Sequence, residues 1–89
     1  LLAAMAAAPA PLTSTRQIGF DLLRAQLLRV EENWSGALAV YQRLAADERL
    51  SPQQRTQLWE GIRVCAAALG DYDSAAEAGR QIVHWYAAE

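Results

Sequence analysis

From Arg16 onward, apolar residues return at intervals of three and four, and short polar segments cut that rhythm three times. Ile18, Leu22, Ala25 and Leu28 open the pattern, with Leu23, Leu27 and Val30 beside them. A period near 3.6 gathers these side chains on one broad buried helix face and fits no strand, whose period is 2. The second run carries Ala37, Leu38, Val40, Tyr41, Leu44 and Ala45 and fades through Asp47–Leu50. A third presents Leu58, Trp59, Ile62, Cys65, Ala66 and Leu69, and a fourth Ala75, Ala78, Gly79, Ile82, Val83 and Tyr86. Alanine and leucine, both strong helix formers, make up more than a third of the 89 residues.

The interruptions read as caps. Thr13, Ser14 and Thr15 offer hydroxyls for the start of the first helix. Asn33 suits a left-handed helix end, and Ser35 the next N-cap. Ser51-Pro52-Gln53-Gln54 is a capping box: serine at the N-cap, proline at the first helical position, and a glutamine to reach back. Gly70 ends the third helix, and Asp73 or Ser74 caps the fourth. Connections this short make consecutive helices antiparallel neighbours. Ahead of them, the apolar residues 1–8 run into Pro9-Ala10-Pro11. This segment reads as the end of a preceding helix stopped by the prolines, or as a targeting remnant; it is far too short to span a bilayer.

Shifted by 38 residues, the chain aligns with itself. Asn33-Trp34-Ser35-Gly36-Ala37 falls on Asp71-Tyr72-Asp73-Ser74-Ala75, Leu44 and Ala45 on Ile82 and Val83, and Leu27 and Leu28 on Cys65 and Ala66. An aromatic ring thus precedes the second helix of each unit, and a small residue follows where two helices must approach closely. With Trp59, Ile62, Ala66, Gly70-Asp71-Tyr72, Ala75 and Ile82 in one unit and Ala25, Leu28, Trp34, Ala37, Tyr41 and Leu44 in the other, the chain resembles the tetratricopeptide repeat family. The departures are Asp21 in place of an early tryptophan, Arg63 in place of a small residue and Gly79 in place of an aromatic. The unit is also about one helical turn longer than the family's 34 residues. The resemblance implies an all-α fold: two antiparallel helical hairpins stacked as a fragment of a right-handed superhelix. The chain then divides into an apolar segment with a proline linker at 1–14, one hairpin at 15–50 and a second at 51–89.

Chemistry is sparse. His84 is the single histidine, with no nucleophile at a motif spacing, and reads as a partly exposed helix residue. Cys65 lies between Val64 and Ala66 late in its helix and reads as a small buried hydrophobe. One cysteine excludes an internal disulfide framework, and with one histidine it is too little for a zinc site. Asp71 and Asp73 are turn and cap residues rather than metal ligands. Lysine is absent and the net charge is −2, a poor match for nucleic acid. No catalytic residue, metal or cofactor is expected.

A binding role remains. In the family that the chain resembles, ligands lie in a groove lined by the first helix of each unit. Transferred here, the groove presents Leu22, Gln26, Arg29 and Val30 with Gln57, Glu60, Val64 and Ala67, a mixed surface suited to a peptide or partner helix. The family's carboxylate clamp needs lysines and asparagines that this chain lacks. Trp85 and Tyr86, adjacent near the C-terminus, point to different sides of their helix. Either Tyr86 packs on the third helix with Trp85 partly exposed, or Trp85 covers a neighbouring repeat or a second subunit, making the pair a self-association surface. The expected function is a non-catalytic protein–protein interaction module from a larger protein or homo-oligomer, binding a protein or peptide. The competing readings are a structural or accessory segment of a bacterial enzyme or secretion or envelope machine, and a ligand-binding four-helix bundle. Lysine-free, alanine- and arginine-rich usage matches a GC-rich bacterial genome, which leaves cytoplasm and periplasm both open as compartments.

Overall fold

The computed structural model describes the backbone of residues 9–88 and the side chains of residues 16–87. The apolar segment 1–8 lies outside the described residues. Within them the chain forms four α-helices and no strand: α1 (Pro9–Val30), α2 (Trp34–Ala45), α3 (Pro52–Ala68) and α4 (Tyr72–Ala88).

Helix α1 starts at Pro9, ahead of the hydroxyl run expected to cap it, so Thr13–Thr15 lie inside the helix and not at its start. Pro9 and Pro11 both fall in the first turn. There the backbone N–H groups have no intrahelical acceptor, and proline's missing donor costs nothing. Pro9 and Pro11 thus lie within the described span of α1.

Both hairpin turns have the same hydrogen-bond pattern, 38 residues apart. At the first, Glu32 N–H donates to the Arg29 carbonyl at 2.9 Å and Asn33 N–H to that of Leu28 at 2.8 Å. At the second, Gly70 N–H donates to Ala67 at 3.1 Å and Asp71 N–H to Ala66 at 2.8 Å. This is the Schellman closure, which needs one left-handed residue. Gly70 supplies it with φ 81°, and in the first turn Glu32, not Asn33, adopts φ 61°. The following residue then caps the next helix. The Asn33 side-chain oxygen accepts from Gly36 N–H at 3.0 Å, and a carboxylate oxygen of Asp71 accepts from Ser74 N–H at 3.2 Å. The caps are thus Asn33 and Asp71, each two residues before the nearest expected one, Ser35 and Asp73. The α2–α3 connection carries the expected capping box: Gln54 N–H donates to the Ser51 hydroxyl at 3.1 Å, and Ser51 N–H donates to the Gln54 side chain at 2.9 Å.

The core joins Ile18, Leu22 and Ala25 of α1, Ala37, Val40, Tyr41 and Leu44 of α2, Leu50, Leu58, Ile62 and Cys65 of α3 and its approach, and Ala78 of α4. Tyr41 is completely buried, and its ring lies where a Cβ on Gly61 would have to be. Glycine is required there because α2 and α3 meet through that ring. Ala25, Ala37, Ala66 and Ala78 have no exposed surface and let neighbouring helices approach. Asp21, buried in α1, accepts from Gln17 at 2.9 Å and faces the Arg43 guanidinium of α2 at 3.6 Å. The buried carboxylate is thus not left unpaired.

Packing follows chain order: α1 on α2, α2 on α3, α3 on α4, with a smaller α1–α3 contact. Among the described residues no Cα of α1 or of α2 lies within 8 Å of a Cα of α4. The helices form an open row, and the molecule is only 17 Å deep in its thinnest direction, about two packed helices. Leu23, Leu27 and Val30, expected on a broad buried face, are exposed on the far side of α1, as are Leu69, Val83 and Tyr86 elsewhere.

Candidate functional site

An open depression of about 360 Å³ forms where the end of α1 and the start of α2 meet α3, lined by Gln26, Arg29, Val30, Trp34 and Val64. The Schellman turn positions it. By reversing the chain within three residues it sets Trp34 beside Val30 and Arg29, while α3 brings Val64 across. Of the expected groove residues, Gln26, Arg29, Val30 and Val64 meet here. Trp34, read from sequence only as a packing ring, completes one wall.

Leu22 does not belong to this surface: it is almost wholly buried and part of the core cluster with residues of α2 and α3. Gln57 and Glu60 lie in a second depression of about 480 Å³, with Gln53, Thr56, Ile82 and Tyr86. Gln57, Glu60 and Val64 share one face of α3 by their i, i+3, i+7 spacing, so the two hollows lie along the same stripe. The expected single groove is therefore divided, with an α1–α3 end and an α3–α4 end.

The two ends differ in charge. Arg29 is half-buried and donates to the Tyr41 hydroxyl at 3.4 Å, a long contact that leaves its remaining donors facing the hollow. Glu60 is paired with Arg63 one turn along α3. The α1–α3 end is thus cationic with apolar walls, and the α3–α4 end is nearly neutral. Deeper in, burial pushes the Cys65 thiol up, opposed only in part by the charge of Arg29. Cys65 stays protonated near neutral pH and fills space in the core.

In the aromatic pair at the C-terminal end, Trp85 is partly exposed as in the first expectation, but it is Trp85 and not Tyr86 that packs on the third helix. Trp85 is half-buried beneath the Arg55 guanidinium, whose central carbon lies 5.0 Å from the ring centroid. The same Arg55 donates to the Asp47 backbone carbonyl at 2.8 Å, so it ties the α2–α3 connection to α4. His84 meets the indole edge-on at 5.0 Å. Tyr86 is the exposed partner, 64 % accessible, at the rim of the second hollow.

A third, smaller depression of about 220 Å³ opens beside Gln42, Ala45, Trp59, Ile62, Ser74 and Glu77. The buried Trp59 indole N–H has no acceptor among the described residues. Among those residues no cluster of His, Cys, Asp and Glu could hold a metal ion, and no helix is long and apolar enough to cross a membrane.

Sequence reasoning missed the Tyr41–Gly61 contact and the Asp21–Arg43 pair. The first had a signal: a glycine inside a helical apolar pattern marks a close approach. The second had none, since partners 22 positions apart leave no local pattern. Compared with protein-family models, curated proteins and solved structures, the chain matches none of them.

Proposed function

We propose that this chain is a non-catalytic, tetratricopeptide-like interaction module that holds an extended segment of a partner protein at the α1–α3 end of its groove. The observation that carries the reading is the hollow itself. One guanidinium, Arg29, stands among Val30, Trp34 and Val64, with Gln26 as a further polar group. An apolar wall around a few fixed polar groups is the usual chemistry of peptide and ligand recognition. The cation selects a carboxylate, so the favoured ligand is a segment with an acidic residue next to an apolar one. The open row of helices supports a repeat-like scaffold over a closed bundle, because it leaves one face of α1 and α3 free along its length.

The test is selection of extended peptides from a random library on the folded chain. Enriched peptides are expected to pair an acidic with an apolar residue. Their affinity is expected to fall roughly tenfold with Arg29→Gln or Val64→Ser and to stay unchanged with Arg80→Ala on α4. Enriched peptides that bind all three variants equally well, or no enrichment at all, would remove the groove from the account.

A further inference from the structure

Among the described residues, two outward faces have no partner. On α1, Phe20, Leu23, Leu27 and Val30 are between 60 % and 79 % exposed. Their 3-4-3 spacing sets them in one stripe, opposite the core residues Ile18, Leu22 and Ala25. On α4, Tyr72 and Val83 are 72 % and 69 % exposed and share a second stripe with Ala76 and Gly79, spaced 4-3-4. Contiguous apolar stripes of this size mark contact surfaces.

The 38-residue equivalence says what covers them. Advanced by 38 positions, Phe20, Leu23 and Leu27 become Leu58, Gly61 and Cys65, the buried face of α3 on which Tyr41 sits. Moved back by the same step, Tyr72, Ala76, Gly79 and Val83 become Trp34, Leu38, Tyr41 and Ala45, the side of α2 that carries that tyrosine. Trp34, Leu38 and Ala45 all pack against the core. The two exposed stripes are therefore the two halves of the α2–α3 junction, displayed at opposite ends of the molecule.

Their volumes are complementary with the roles exchanged. Inside the chain a large residue, Tyr41, fits onto a glycine, Gly61. At the ends, Leu23 stands at the position of Gly61 and Gly79 at that of Tyr41. Within the molecule Gly79 has no packing reason, since a Cβ there would meet nothing within 4 Å. A glycine inside a helix is unfavourable unless something approaches it closely.

We propose that α4 of one copy of this chain docks on α1 of the next, repeating the α2–α3 junction between molecules. Leu23 of one copy enters the notch at Gly79 of its neighbour. The contact joins two different surfaces, so it grows into an open head-to-tail array rather than stopping at a symmetric pair. The six large exposed side chains cover on the order of 800 Å², below the range of permanent interfaces, so assembly is reversible and concentration-dependent. The inference rests on the repeat equivalence contained in the proposed function, and it meets the groove only at Val30, which ends the α1 stripe and also lines the hollow.

Sedimentation velocity on the 89-residue chain, from low micromolar to its solubility limit, reads this directly. The expected result is a series that grows past the dimer. Leu23→Glu blocks the α1 stripe and Val83→Glu the α4 stripe; both positions are exposed, and circular dichroism checks that helicity is kept. Each variant alone is expected to stay monomeric, while an equimolar mixture forms one-to-one heterodimers and stops there. Gly79→Leu fills the notch and is expected to weaken association roughly tenfold. A wild-type chain that remains monomeric throughout overturns the proposal. So does a closed dimer that Leu23→Glu abolishes and Val83→Glu leaves intact, which would be an α1–α1 pair. Both glutamate variants leave the hollow at Arg29 untouched, so peptide selection on them separates failure of the array from failure of the groove.

Discussion

Two glycines 18 positions apart have opposite roles, and the difference lies entirely in what surrounds them. Gly61 is overlaid by the ring of Tyr41, a fully buried side chain with no room to retreat. Gly61→Ala is therefore expected to cost about 1–3 kcal/mol in urea denaturation, the usual result of overpacking a rigid core. Gly79→Ala, in open space on α4, is expected to gain about 0.5–1 kcal/mol in the monomer from helix propensity alone. Glu32 is a third backbone test. It holds the left-handed position that Gly70 holds in the equivalent turn, so Glu32→Gly removes a strain of about 1 kcal/mol and is expected to raise the denaturation midpoint. Titration follows the same residue-level reasoning at Asp47. The Arg49 guanidinium and the Arg49 backbone N–H hold its carboxyl down to about 2. Its folded pKa lies below the unfolded value, so the contact's contribution is complete above roughly pH 4 and is lost as pH falls toward 2. Asp71 and Glu77 are shifted in the same direction by Ser74 and Arg80. Denaturation midpoints should fall on acidification through that window, and the fall should be shallower in Asp47→Asn.

At the scale of elements, the helix termini are where sequence and structure agree and disagree most instructively. The capping box at Ser51 and the stop at Gly70 were legible because each depends on residues within three positions. Ser51→Ala is expected to cost about 1 kcal/mol, read as a lower melting temperature with unchanged helix content at low temperature. The first turn was harder. Asn33 and Glu32 are both able to end a helix, and their division of labour is settled by which carbonyls the turn must satisfy. The hydroxyls Thr13–Thr15 lie inside α1 and not at its start, because prolines are accepted in a helix's first turn. Periodicity placed Leu23, Leu27 and Val30 on a helix but could not say on which side the core lies, because α1 is apolar on two opposite faces. The same ambiguity put Leu22 into the groove. Gln26, Arg29 and Val64, grouped in the sequence by the family resemblance, line one hollow in the folded chain. The tie from Arg55 to both Asp47 and Trp85 crosses three elements and could be seen only in the folded chain.

At the scale of the molecule, the chain is a row rather than a ring. Each helix rests on the one before it, two identical turns reverse the chain 38 residues apart, and the first and last helices do not touch among the described residues. That arrangement leaves a hollow at the α1–α3 end and an exposed apolar stripe on each of the first and last helices, and both proposals depend on it. It is tested most directly by the distance between the ends. Spin labels at Leu27→Cys and Val83→Cys report it by pulsed electron resonance at low micromolar concentration. Cys65 is buried and stays unlabelled. Through α3, which touches both α1 and α4, the ends are two helix-to-helix steps of about 8–10 Å apart, and outward-facing labels put the open row at roughly 30 Å. A separation below about 20 Å, as for adjacent helices of a closed bundle, would contradict the account.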